Sequence, residues 1–143
     1  MATTTNYGWT TPDDTALVKD GALAIRTLGS SIDTSVYGAV TKSTINTQTG
    51  TTYTLVLGDA GKLITMSNAS AITLTVPTNS SVAYATGTRI DLAQLGAGQV
   101  TVAGSGITFT SKGSALKITG QYSAASLIKT GTDTWLLIGD ISA

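Results

Sequence analysis

Ser70-Ala71-Ile72-Thr73-Leu74-Thr75-Val76-Pro77 is the stretch that decides the fold. Ile72, Leu74 and Val76 alternate with Thr73 and Thr75, so a period of two puts the apolar side chains on one face and the hydroxyls on the other. That is a half-buried strand. Working outward, the same alternation returns at Tyr53/Leu55/Leu57, Ile90/Leu92, Val100/Val102, Ile107/Phe109, Leu116/Ile118 and Trp135/Leu137. About eight or nine strands are expected. Turn signals separate them: Gly58-Asp59-Ala60-Gly61, Ser67-Asn68-Ala69-Ser70, Gly96-Ala97-Gly98, Gly104-Ser105-Gly106, Lys112-Gly113, Thr119-Gly120 and Thr130-Gly131-Thr132-Asp133. No exact internal repeat is found, which argues against a β-solenoid. Short regular spacing predicts a mainly β chain, an antiparallel β-sandwich or jelly-roll-like barrel, preceded by one N-terminal helix.

The helix signal precedes these strands. Thr11 can cap it, Pro12 suits a first helical position, and Asp13 and Asp14 place negative charge on the positive end of the helix dipole. Val18, Ile25 and Ile32 then recur at seven, with Gly21 and Leu28 at the intervening places. Such a weak heptad fits either an amphipathic helix lying on its own β domain or a self-associating bundle. Gly21 and Gly29 each weaken a helix by about 1 kcal/mol relative to Ala, so packing must hold it. Ahead of it, Tyr7 and Trp9 are the only bulky groups in a polar arm. They need a surface, on another protein or on their own domain. The expected organisation is arm and helix over 1–36, a polar linker over 37–50, and a β domain over 51–143.

Composition narrows the chemistry. The 143 residues carry no net charge and only 11% are charged, so the cationic field that nucleic acid or an anionic membrane requires is missing. The chain has no Cys, His or Glu, which removes disulfides, thiolate or imidazole metal sites, and the commonest acid–base groups. No metal or cofactor is expected. There is no basic n-region with an apolar h-region, and apolar runs stop far short of the roughly 20 residues that cross a bilayer. A soluble chain made in the cytoplasm is expected.

The segment Asn6 to Thr34, NYGW-x-TPDDT-x-LVKDGA-x-AIRTLGSSIDT, resembles one that recurs at the start of virion structural proteins of tailed bacteriophages, chiefly minor tail and fibre-like proteins. Gly58-Asp59-Ala60-Gly61-Lys62-Leu63-Ile64, Gly87-Thr88-Arg89-Ile90 and Thr134-Trp135-Leu136-Leu137-Ile138-Gly139-Asp140 likewise look like a β domain common in phage fibre and minor structural proteins. The resemblance implies a non-enzymatic virion component, a short surface fibre, knob or capsid decoration protein made in the bacterial cytoplasm. Its attachment segment, with Tyr7, Trp9, Pro12, Asp13 and Asp14, would hold capsid or tail proteins. Val18, Ile25, Leu28 and Ile32 would form the seam of a homotrimer. A rival is the receptor- or glycan-binding tip of a tail fibre, with Tyr84 or Tyr122 touching a host surface glycan.

Other patterns have plainer readings. Gly96-Ala97-Gly98 and Gly104-Ser105-Gly106 join strand to strand rather than opening a helix over a phosphate. Asp59, Asp133 and Asp140 sit in or beside predicted turns with Gly neighbours, where Asp is common for backbone reasons, and with Asp91 they make no convincing carboxylate pair. Asn68-Ala69-Ser70 and Asn79-Ser80-Ser81 match a glycosylation sequon as turn residues in a Ser/Thr-rich chain.

Overall fold

The structure, a computed structural model, describes residues 2–5, 7–11, 18–41 and 43–143. The chain divides into two units, Met1–Lys42 and Ser43–Ala143. In the first unit, β1 (Ala2–Thr3) and β2 (Thr10–Thr11) form a small antiparallel hairpin that pairs Ala2 with Thr11 and Thr3 with Thr10. Helix α1 spans Val18–Thr41, about 36 Å at 1.5 Å per residue. Its hydroxyl residues bond back to the preceding turn. Thr27 Oγ1 donates to the Leu23 carbonyl, Ser31 Oγ to that of Thr27 and Thr34 Oγ1 to that of Ser30, each at 2.9 Å. The helix entry expected at Pro12, Asp13 and Asp14 lies outside the described residues.

The second unit begins earlier than the sequence reading places it. Tyr37 to Thr41 continue the helix, and Ile45–Gln48 form strand β3, so residues 37–50 are not a linker. After β3 the chain alternates between two sheets: β4 (Thr52–Thr54), β5 (Leu63–Met66), β6 (Ile72–Thr75), β7 (Arg89–Gln94) and β8 (Val100–Ala103). It closes with β9 (Thr108–Ser111), β10 (Lys117–Ile118), β11 (Ala124–Gly131), β12 (Thr134–Gly139) and β13 (Ile141–Ser142). One sheet has the order β3-β5-β7-β11-β12-β9, the other β13-β10-β8-β6-β4. Between them lies one apolar core that includes Leu55, Ile64, Ile72, Leu74, Ile90, Leu92, Val102, Leu127, Trp135 and Leu137. The expected class, mainly β and sandwich-like behind a single helix, is the one observed.

Strand direction is the correction. β3, β5 and β7 run parallel, as do β4, β6 and β8, and β9 adds parallel to β12. Antiparallel pairing joins β7 to β11, β11 to β12, β8 to β10 and β10 to β13. The first half is therefore three stacked coils, each one strand per sheet, and the second half closes it as hairpins. Parallel pairing ordinarily needs a long crossover. Here the crossover is the strand in the opposite sheet. Partners step from Ile45 to Leu63 to Asp91, intervals of 18 and 28 residues. Such unequal coils leave no sequence period.

Stacking aligns side chains as ladders. Ile64 lies beside Leu92 and Leu74 beside Val102. In the first coil the same slots hold Asn46, beside Ile64, and Tyr53, beside Leu74. The core is thus finished in polar groups at its first coil. Because β3 belongs to this coil, a fragment of residues 43–143 should fold cooperatively. A fragment of residues 51–143 should melt at least about 10 °C lower, the equivalent of roughly 2 kcal/mol. Circular dichroism melts of the two fragments make the comparison.

Candidate assembly interface

The arm expected to seek a surface finds one on its own helix. Tyr7 stacks on Trp9 with ring centroids 4.9 Å apart and planes 13° from parallel. Gly8, between them, has a positive φ of 63°, and the Thr4 hydroxyl accepts the Trp9 amide at 3.0 Å. Trp9 is half-buried, and its indole Nε1 donates to Ser35 Oγ at 3.1 Å. Thr27, Ser30, Ser31, Thr34 and Ser35 line the shallow groove that holds the two rings. Tyr7 nevertheless stays 70% exposed.

At 3.6 residues per turn, Thr27, Ser30 and Thr34 lie opposite Ile25, Ile32 and Val36. The arm covers the hydroxyl side, whereas Ile25 is 65%, Ile32 37% and Val36 52% exposed. Leu28, at the edge of this stripe, is partly buried. Val18 begins the helix in the same register, and its side chain lies outside the described residues. Ala22 and Gly29 on one flank and Ala24, Ser31 and Gly38 on the other are uncharged, so identical stripes meet without like-charge repulsion. Ile25, Ile32 and Val36 thus share one uncovered apolar face, with Leu28 at its edge.

A second cluster, in the β unit, was invisible to the sequence reading. Asp59, read as a turn residue, is 1% exposed in the 3-10 turn Leu57–Asp59. Its Oδ1 accepts Asn46 Nδ2 at 2.8 Å, and its Oδ2 accepts the Tyr53 hydroxyl at 2.8 Å and the Val56 amide at 2.9 Å. Gln48 Nε2 donates to Asn46 Oδ1 at 2.7 Å. The Tyr84 hydroxyl donates to the Val56 carbonyl. Tyr84 is buried, which corrects its expected place on an exposed glycan surface; Tyr122 alone of that pair is exposed. Beside this network Ile45, Val56 and Leu57 are exposed. Its signal in the sequence was the unusual polarity of Asn46 and Gln48 at positions two apart.

Burial pushes the Tyr84 hydroxyl far above its ordinary range, with the Asp59 charge and Tyr53 adding to it. Burial also raises Tyr53, helped by its bond to Asp59. A raised tyrosine keeps its proton in the folded state after the unfolded chain has lost it. The stability it contributes is full below about pH 10 and falls as pH rises. Alkaline titration should therefore show these two phenolates appearing together with unfolding. Tyr84→Phe should lower stability at neutral pH by about 1 kcal/mol and soften the alkaline loss, measured as urea midpoints at pH 7 and above pH 10.

Among the described residues no group of three or more His, Cys, Asp or Glu is placed to hold a metal, and no helix is long and apolar enough to cross a membrane. Compared with models of known protein families and with curated proteins, the chain matches none of them.

Proposed function

We propose that this chain is a non-enzymatic structural protein of a tailed-bacteriophage virion: a short surface fibre, knob or decoration protein that trimerises through α1, is anchored to capsid or tail by its N-terminal segment, and projects its β unit outward. The observation that carries this reading is the uncovered stripe of Ile25, Ile32 and Val36 on the helix side opposite Trp9. A lone helix gains nothing from exposing such a face, and burying a large aliphatic side chain stabilises by about 1.5–3 kcal/mol. Three copies would bury it at once. Isoleucine at successive core positions of the heptad favours three or more strands. The N-terminal segment's likeness to virion proteins supplies the setting.

Sedimentation at micromolar concentration tests the assembly. The expected mass is about three times 14.5 kDa, with Ile25→Asp and Ile32→Asp returning a monomer whose β unit still melts normally. A wild-type monomer with α1 fully formed would remove the seam. The setting is tested by cryo-electron microscopy of virions, where this density should appear on the surface with threefold symmetry.

A further inference from the structure

Among the described residues, Lys129 is the only cation that is buried, at 3% exposure. It occupies an inward slot of β11, directly across from Trp135 on β12. Its Nζ donates to the Tyr84 backbone carbonyl at 2.7 Å and to the side-chain oxygen of Asn79. Both acceptors are neutral, and no ion pair with Lys129 occurs among the described residues. A buried ammonium held only by neutral groups is costly, and an apolar residue of similar size would serve the core better. The position calls for a use of the nitrogen itself.

Asn79 supplies that use. It lies in the long connection between β6 and β7, fifty residues before Lys129, and the β11–β12 hairpin grips it twice. Lys129 reaches its side-chain amide, and Asp133, in the turn of the same hairpin, accepts its backbone N–H through Oδ1 at 2.5 Å. A nitrogen hydrogen-bonded to an amide oxygen is within one bond length of contact with the amide carbon. Tyr84 and Trp135, packed edge-to-face with centroids 5.4 Å apart, stand beside the pair and limit the water that could compete.

We propose that Lys129 and Asn79 join as an intramolecular isopeptide bond, with Asp133 holding Asn79 in place. The Lys129 ammonium passes the proton of its hydrogen bond to Oδ1 of Asn79. The freed lone pair on Nζ attacks Cγ of Asn79, forming the new C–N bond, and the bond from Cγ to Nδ2 breaks. Nδ2 leaves with that proton and one more from Nζ, as ammonium. In sum, one ammonium side chain and one carboxamide give one secondary amide and one ammonium ion. No oxidant, metal or nucleotide enters. The product carries no charge, so the burial cost is gone, and the long connection is tied covalently to the terminal hairpin.

The test is peptide mapping of the full chain under denaturing conditions. Trypsin does not cut after an amidated lysine. The expected wild-type product is therefore Leu63–Arg89 joined to Ile118–Ala143, and the intact mass is lower than the sequence mass by one ammonia. Lys129→Arg and Asn79→Ala should show the unmodified mass. Asp133→Ala, which removes the acceptor that positions Asn79, should form the cross-link about 100-fold more slowly, and Asp133→Asn, which can still accept that N–H, should stay close to the wild-type rate. A free wild-type peptide Ile118–Lys129 at full intact mass would overturn the proposal, and this reading needs no variant to fold. Loss of ammonia with normal cleavage after Lys129 would overturn it too, because it marks cyclisation of an asparagine on its own backbone. An Asp133→Ala protein that cross-links at the wild-type rate would remove Asp133 from the positioning of Asn79.

Discussion

Gly98→Ala is expected to lower the melting temperature of the β unit by more than about 15 °C, a loss of about 3 kcal/mol or more. A Cβ built on Gly98 would sit 1.9 Å from the Ser70 carbonyl oxygen and 2.9 Å from that of Asn68. Both are backbone atoms of the coil below, so no side chain can swing away. The contact exists because successive turns stack. Gly98 donates its amide to the Asn68 carbonyl at 2.9 Å, Asn68 Oδ1 accepts the Ser70 amide at 2.8 Å, and Asn68 Nδ2 reaches the Thr49 carbonyl at 2.7 Å. Asn68 thereby ties three coils together. Gly120→Ala is the control, since nothing lies within 4 Å of the added carbon. Thermal melts by circular dichroism compare the two. Equal melting points would mean that the turns are not stacked and that the parallel coils are wrong.

This stacking also explains what could be read from the sequence and what could not. Alternation located the inward faces, and Ile72, Leu74, Ile90, Leu92, Val100, Val102, Trp135 and Leu137 are all buried. It could not give direction, because a period of two is the same whether the neighbouring strand runs up or down. β3 was missed because its inward slots hold Asn46 and Gln48, which finish the core instead of filling it. A reading built on apolar faces passes over such a strand. Leu57 was expected on the Tyr53 and Leu55 face and is instead exposed in the 3-10 turn. Lys129 is a different kind of miss. It follows Ala125 and Leu127 at the next inward slot of β11, so alternation carried through the charge would have placed it in the core. In the first unit the heptad through Ile25 and Ile32 marked the uncovered face, yet nothing local told that Trp9 would turn back onto Ser35. That contact spans 26 residues.

The two tryptophans should separate stability from attachment. Trp135 is fully buried, packs on Tyr84 and faces Lys129 across the β11–β12 ladder, so Trp135→Ala should cost the β unit about 3–5 kcal/mol. For a unit whose whole stability is on the order of 5–15 kcal/mol, that is roughly a fifth or more of the total, enough to shift its melt by more than about 10 °C. The Trp9 side chain stacks on Tyr7 and donates to Ser35 in the other unit. Trp9→Ala should therefore leave the β unit's melt unchanged and loosen only the arm, by about 1 kcal/mol. Each single variant keeps one tryptophan, so its fluorescence reports one unit alone: Trp9 the arm, Trp135 the β unit. On the proposed attachment the order reverses, because an aromatic anchor centred in an interface carries more than about 2 kcal/mol of binding. Trp9→Ala should then lower particle occupancy at least tenfold while folding normally. If occupancy is unchanged, the stack of Tyr7 on Trp9 serves only to fold the arm onto α1, and the anchor lies elsewhere in the chain.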